Sequence, residues 1–153
     1  MTVKLDAPVP AFTADTTAGR KSLRDYAGSL LVIYFYPKDA TPGCTTEGQD
    51  FSAHYSAFRR AGADVLGVSR DSLASHERFK SRMEFPFELV SDPDETLCQL
   101  FGVIKEKKLY GKVHMGIERS TFVIDRKGKL VREWRGVRVP GHVEEVLQYV
   151  KRM

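Results

Sequence analysis

The hydrophobic pattern predicts a strand, a helix and a second strand in the first half of the chain. Leu30 to Tyr36 is an uninterrupted run of aliphatic and aromatic residues, which is typical of a strand covered on both faces. Small or apolar residues then recur at the spacing of one helix face. They are Cys44, Gly48, Phe51, Tyr55 and Phe58. Gly62 is suited to end this helix, and Ala63 to Val68 predicts the next strand.

The rest of the chain alternates short strands with helices. The predicted elements are a hairpin of strands 11–15 and 20–23, a helix from Asp71-Ser72 to Met83, a strand 87–90, a helix opened by Asp92-Pro93, an exposed loop 105–114, a hairpin of strands 121–124 and 130–134, and a helix after Pro140-Gly141. This order predicts an α/β three-layer sandwich with a mixed sheet. Without a linker or repeat, residues 1–153 are expected to form one domain.

Composition and charge exclude several classes of protein. The 42% hydrophobic and 29% charged residues are ordinary for a globular protein. The longest apolar run is far short of the ~20 residues that a membrane helix needs, and residues 1–6 carry no export signal, so a cytoplasmic protein without a membrane partner is expected. The net charge is +4, but Lys and Arg alternate with Asp and Glu, which indicates a solvated surface and no nucleic-acid partner.

The arrangement of the two cysteines limits the roles that their thiols can have. Cys44 and Cys98 do not form a CxxC pair, and the four histidines are scattered, so neither a structural disulfide nor a zinc site is expected. No other metal or cofactor is indicated. The thiols are therefore either inert or reactive.

Cys44 lies where chemistry is expected. The segment Pro37 to Glu47 joins the end of a buried strand to the start of a helix, where open α/β sheets usually bind ligands. A helix N-terminus favours the thiolate through its backbone N–H groups and dipole, although a further cation is needed for strong activation. The alternative is a small core residue, because Cys44 shares a helix face with Phe51 and Tyr55.

The same segment resembles a known family. Pro37, Thr41 and Cys44 match the peroxiredoxin motif, and residues 36–39 with 41–45 resemble the bacterioferritin comigratory protein branch, also called PrxQ. The resemblance extends to residues 6–12, 91–93 and 116–129. It implies a thioredoxin-like fold with an N-terminal hairpin extension, and a thiol-dependent peroxidase of hydrogen peroxide and organic hydroperoxides.

The resemblance also implies a role for each matched residue. Cys44 would be the peroxidatic cysteine, which becomes a sulfenic acid. Thr41 would accept a hydrogen bond from the peroxide and donate one toward the sulfur. Pro37, which lacks an N–H, would shield the pocket from water. Arg119 would supply the missing cation. Glu47 would orient Arg119; a helix-favouring surface glutamate is the alternative.

The chain departs from the branch at the resolving cysteine. The two positions that usually carry this cysteine are Gln49 and Lys80. Cys98 is the remaining candidate, and as a small buried residue it needs no function. The expected cycle is therefore a one-Cys cycle, in which thioredoxin, glutaredoxin or a small thiol reduces Cys44. A monomer or weak homodimer is expected.

Two other function classes compete with this interpretation. One is a Cys–His hydrolase that pairs Cys44 with His114 or His142. The other is a binding or holdase protein that keeps the fold without turnover. The scattered histidines, without a nearby acid to orient one of them, argue against the hydrolase. The combination of Pro37, Thr41, Cys44 and Arg119 argues against the binding or holdase protein.

Overall fold

A seven-stranded mixed sheet forms the centre of the molecule. The computed structural model describes residues 2–153 apart from the side chain of Leu109; Met1, where the expected domain begins, lies outside the described residues. The strands are β1 (Thr13–Thr16), β2 (Gly19–Ser22), β3 (Leu30–Phe35), β4 (Ala63–Ser69), β5 (Glu88–Ser91), β6 (Ile104–Leu109), β7 (Lys112–Ile117), β8 (Ser120–Ile124) and β9 (Leu130–Arg135). The helices are α1 (Pro42–Ala53), α2 (Tyr55–Arg60), α3 (Leu73–Met83), α4 (Thr96–Leu100) and α5 (His142–Lys151), with a 3₁₀ turn over Leu23–Tyr26.

The strand order places β3 near the middle of the sheet. The order is β2-β1-β5-β4-β3-β8-β9, and β6 pairs with β7 in a separate ribbon. β3, β4 and β5 are parallel, as expected for strands joined by helices. β8 is antiparallel to β3 and pairs Ser120 with Phe35. This register brings the start of β8 beside the carboxyl end of β3.

The side chains of β3 divide between two cores. Leu30, Val32, Tyr34 and Tyr36 pack into one buried cluster, which also contains residues of α1, α2, α3 and α5. The alternate residues Leu31, Ile33 and Phe35 pack into a second cluster with residues of α4. Because successive strand residues point to opposite faces, the sheet separates the two cores and makes the middle layer of the predicted sandwich.

Most predicted elements are present, with three differences. The helix expected to open at Asp92-Pro93 begins only at Thr96. The helix predicted through Phe58 is interrupted at His54, where φ is −101° and ψ is 5°; Phe51 and Phe58 still share one core, so the spacing could not reveal the break. The prediction of an exposed loop over 105–114 is wrong, because this segment belongs to the β6–β7 ribbon. Tyr110 and Gly111 connect its strands with φ of 52° and 75°, the geometry of a tight hairpin turn.

Among the described residues 2–153, no helix is both long and apolar enough to cross a bilayer.

Candidate active site

Cys44 lies in the first turn of α1, at the end of the loop that leaves β3. The helix begins with Pro42, Gly43 and Cys44, and Pro fits this first turn because its missing N–H would have had no helical partner. The N–H groups of a first turn have no acceptor within the helix, so they favour an anion. The Cys44 residue is only 2% exposed. The sulfur therefore lies at the boundary between a helix N-terminus and an apolar core.

Arg119 contacts Cys44 directly. It immediately precedes β8, whose pairing with β3 carries it to the carboxyl end of that strand. Its Nη2 donates to the Sγ of Cys44 at 3.4 Å, and its Nη1 donates to Oε1 of Glu47 at 2.6 Å. One guanidinium thus bridges the thiol and the carboxylate.

Gly43 provides the space for this contact. A Cβ atom at Gly43 would lie 3.2 Å from Nη2 of Arg119, which is closer than most Cβ contacts allow. The glycine before the cysteine therefore lets the guanidinium approach the helix N-terminus.

Glu47 is fully buried, which excludes a surface glutamate. Its residue exposure is 0%, and burial raises its pKa to about 7, although Arg119 opposes this rise with its charge and hydrogen bond. Oε1 accepts from Arg119, whereas Oε2 has no hydrogen-bond partner among residues 2–153. A carboxyl with one unpartnered oxygen in an apolar core favours its protonated form. Glu47 can therefore change charge near neutral pH.

Thr41 and Pro37 lie on the loop between β3 and α1. Thr41 is the N-cap residue of α1, and its Oγ1 donates to the carbonyl oxygen of Lys38 at 2.8 Å. That bond uses the hydroxyl hydrogen, so the expected donation toward the sulfur is not made, but the oxygen lone pairs remain able to accept from a peroxide. Pro37 is half-buried, directly after Tyr36.

Ala40 has a left-handed backbone, with φ of 62°. This conformation costs a residue with a Cβ about 1–2 kcal/mol, so the surrounding structure has to hold the loop in place.

Comparison with known proteins gives the family. The model of the AhpC/TSA family matches residues 5–133. Peroxiredoxin Bcp of Xanthomonas campestris is 58% identical over 85% of this chain and 81% of its own length. The chain belongs to the AhpC/TSA family. It is a thiol-dependent peroxidase, as the resemblance implied.

Two solved structures of relatives confirm the thioredoxin-like fold. A PrxQ mutant from Xylella fastidiosa has a TM-score of 0.93 at 44% identity, covering 99% of this chain and 98% of that one. The Xanthomonas campestris bacterioferritin comigratory protein, studied for alkyl peroxide reduction in trapped intermediate and ligand complexes, has a TM-score of 0.88 at 53% identity, covering 92% of this chain and 90% of that one.

The second cysteine of this AhpC/TSA-family chain lies on the opposite side of the sheet. Cys44 packs in the core beside α1, and Cys98 packs in the core beside α4. Burial raises the pKa of the Cys98 thiol, and the neighbouring Asp92 carboxylate raises it further. Asp92 also accepts the N–H groups of Leu97 and Cys98 at 3.0 and 2.8 Å, which fixes the position of the carboxyl group beside Cys98. Cys98 is thus held as a neutral thiol.

The histidines of the hydrolase alternative do not reach Cys44. His142 Nε2 is 2.8 Å from Oγ1 of Thr121, and His114 is exposed on β7. Within residues 2–153, neither histidine hydrogen-bonds to the sulfur. The hydrogen-bond partner of Cys44 is Arg119.

Sequence reasoning missed a group of residues that hold the loop before Cys44. Tyr36, Asp39 and His76 form a buried hydrogen-bonded network. Asp39 stands inside the motif, but its sequence position gives no hint of its partners. His76 falls within the helix predicted from Asp71-Ser72 to Met83, and nothing in its position marks it as a partner of Asp39.

Proposed function

We propose that Cys44 is the peroxidatic cysteine of this peroxidase and that hydrogen peroxide and organic hydroperoxides are its substrates. The observation that carries the proposal is the Arg119 guanidinium, which donates to Sγ of Cys44 and to Glu47. A thiolate is the attacking form of cysteine, and a cation with a hydrogen bond to sulfur favours that form.

The first chemical step transfers one oxygen atom. The Cys44 thiolate attacks an oxygen of the hydroperoxide, an S–O bond forms, and the O–O bond breaks. The departing alkoxide or hydroxide takes up a proton and leaves as an alcohol or water, while the sulfur is oxidised to a sulfenic acid. Arg119, whose side chain is 16% exposed, would stabilise the negative charge that develops on the leaving oxygen.

Thr41, Pro37 and Glu47 would assist this step. Thr41 would accept a hydrogen bond from the peroxide O–H, and Pro37 would limit the access of water to the loop. Glu47 would hold Arg119 in place through the contact with Nη1. The alkyl peroxide activity of the Xanthomonas campestris relative supports organic hydroperoxides as substrates.

An external thiol would reduce the sulfenic acid. The positions that usually carry a resolving cysteine are Gln49 and Lys80, and the core of Cys98 lies across the sheet from that of Cys44. A first thiol would form a mixed disulfide with Cys44 and release water, and a second thiol would then release Cys44. Thioredoxin, glutaredoxin or a small thiol could supply both.

The state of the cysteines also bears on the cellular compartment of the enzyme. Both cysteines are free, which agrees with a reducing compartment, so we place the enzyme in the cytoplasm. We further propose that residues 1–153 form one domain, present as a monomer or weak homodimer.

Two variants and a trapping reaction test the proposal. Cys44→Ser should abolish peroxide consumption while the circular dichroism spectrum stays the same, and Cys98→Ser should retain wild-type turnover. After one equivalent of peroxide, wild-type protein should form a dimedone adduct. A disulfide without an adduct, together with lost thioredoxin-supported turnover in Cys98→Ser, would contradict the one-Cys cycle. Normal turnover in Cys44→Ser would contradict the proposal as a whole.

A further inference from the structure

Asp39 lies at the centre of a buried polar network beside the catalytic loop. Its residue exposure is 7%, and that of His76 is 0%. The Asp39 carboxylate accepts from Tyr36 Oη at 2.6 Å and from Ser75 Oγ at 2.8 Å. Its Oδ2 is also 2.7 Å from Nδ1 of His76. Three side chains, one directly after β3 and two from α3, therefore converge on one loop residue.

Both ring nitrogens of His76 have a hydrogen-bond partner. Nε2 lies 2.8 Å from the carbonyl oxygen of Val90, and Nδ1 lies 2.7 Å from Oδ2 of Asp39. Burial raises the pKa of Asp39, but hydrogen bonds from His76 and Tyr36 outweigh this effect and hold the pKa below its usual value. The His76 ring is therefore held at both nitrogens, and Asp39 and His76 form a buried hydrogen-bonded pair.

The same hydrogen bonds occupy the atoms that a metal ion would need. Ligand atoms of Asp39, Asp71 and His76 all lie within 4.8 Å of one another, a grouping that could hold a cation. Both ring nitrogens of His76 are already engaged, by Asp39 and by Val90, and the Asp39 oxygens already accept from three donors.

A further hydrogen bond ties the backbone of Asp39 to the end of β4. Its N–H donates to Oδ2 of Asp71 at 2.9 Å, and Ser69 Oγ donates to the same oxygen at 2.5 Å. Asp39 is thereby fixed through both its side chain and its main chain. The next residue is Ala40 in its left-handed conformation, followed by Thr41 at the start of α1.

We propose that the hydrogen-bonded Asp39–His76 pair is a positioning device that holds Ala40 in its left-handed conformation and so places Thr41 and Cys44 for attack on the peroxide. Only two residues separate Asp39 from the start of α1, and one of them is strained, so small shifts of Asp39 reach the N-cap residue. This role rests on the proposed function of Cys44. Asp39 and His76 themselves contact neither peroxide nor sulfur.

Substitution of each partner tests the positioning role. Asp39→Asn and His76→Gln should each lower the second-order rate constant for peroxide by tenfold or more in stopped-flow measurements. The rates are compared at a temperature where circular dichroism shows every variant to be folded. His54→Gln, which changes a histidine without a side-chain cap bond at the end of α1, is the control and should react like wild type.

A rescue separates positioning from a general loss of stability. Glycine adopts the left-handed conformation without the penalty that alanine has. Adding Ala40→Gly to the Asp39→Asn protein should therefore raise its rate constant for peroxide at least threefold. The same change in wild type should alter the rate by less than twofold. Equal effects in the two backgrounds, or wild-type rates in folded Asp39→Asn and His76→Gln, would overturn the proposal.

A spectroscopic test on the unmodified protein remains available if a variant fails to fold. Long-range ¹H–¹⁵N correlation should show a ring N–H of His76 that is protected from exchange with water; a ring N–H that exchanges freely would overturn the buried Asp39–His76 pair. Cys44→Ser serves as the separate test of the proposed function. Full turnover in Cys44→Ser would contradict the assignment of Cys44, whereas an inactive Cys44→Ser with unaffected Asp39 and His76 variants would contradict only the positioning role.

Discussion

Replacing Arg119 by methionine removes the cation beside Cys44 and retains most of the apolar volume of the side chain. The wild-type guanidinium lies 3.4 Å from Sγ, and its side chain is only 16% exposed, so solvent screens the contact weakly. We expect Arg119→Met to fold and to react with peroxide much more slowly.

The geometry sets the magnitude of this effect. Two unit charges 3.4 Å apart interact by about 5 kcal/mol at an effective dielectric constant of about 20, which is an upper limit. Glu47, 2.6 Å from Nη1, offsets part of the Arg119 charge. We therefore assign to the Arg119–Cys44 contact the ~1.5–3 kcal/mol that is typical of a hydrogen bond to a charged group. At about 1.4 kcal/mol per tenfold, the rate should fall by about 10- to 150-fold.

The same substitution affects the buried carboxyl of Glu47. Without Arg119 this group loses the partner of Oε1, and removing one member of a buried ion pair commonly costs about 3–5 kcal/mol. Because the pKa of Glu47 is already raised to about 7, the group can take up a proton and reduce that loss. The double variant Arg119→Met with Glu47→Gln should therefore recover stability but not the reaction rate.

Stopped-flow measurement of the peroxide rate, with urea unfolding for stability, separates the two effects. Arg60→Met, at an exposed position of α2, is the matched control and should behave like wild type. A rate for Arg119→Met within about threefold of wild type would refute the reasoning, since the contact would then contribute less than any charge-assisted hydrogen bond.

Three further substitutions give distinct outcomes. Gly43→Ala should keep or raise the free energy of unfolding, because alanine favours a helix by up to about 1 kcal/mol relative to glycine. It should also slow the peroxide reaction severalfold, because the new Cβ displaces the Arg119 guanidinium. An unchanged rate would contradict this. Burial raises the pKa of Glu47 to about 7, so folded protein binds more protons than unfolded protein between about pH 4.5 and 7. Stability should fall with rising pH there, and urea titrations of Glu47→Gln should lack that component. Burial lowers the pKa of His142 to about 4, so unfolded protein binds more protons than folded protein between about pH 4 and 6.5. Stability should therefore fall as the pH drops through that range. A His142→Gln protein with the same acid sensitivity would disprove this.

The sequence by itself predicted most of the elements and marked Cys44 as the candidate reactive residue. The apolar run at 30–36 and the Pro-Gly entry before Cys44 depend on local rules of strand burial and helix initiation, and these act over a few residues. The missing cysteines at Gln49 and Lys80 are likewise visible in the sequence alone. The 105–114 ribbon escaped prediction because its charged residues lie on a two-stranded ribbon that is largely in solvent, where no apolar alternation is required.

The tertiary structure decided which distant residues meet. The antiparallel register of β8 on β3 selects Arg119 from all the arginines of the chain as the one that reaches Cys44. Cys98 lies in the core on the opposite face of the sheet from Cys44. Burial raises the pKa of Glu47. The Asp39–His76 contact joins residues 37 positions apart. Each of these depends on strand register, face or burial across long separations, which residue spacing within one element does not encode.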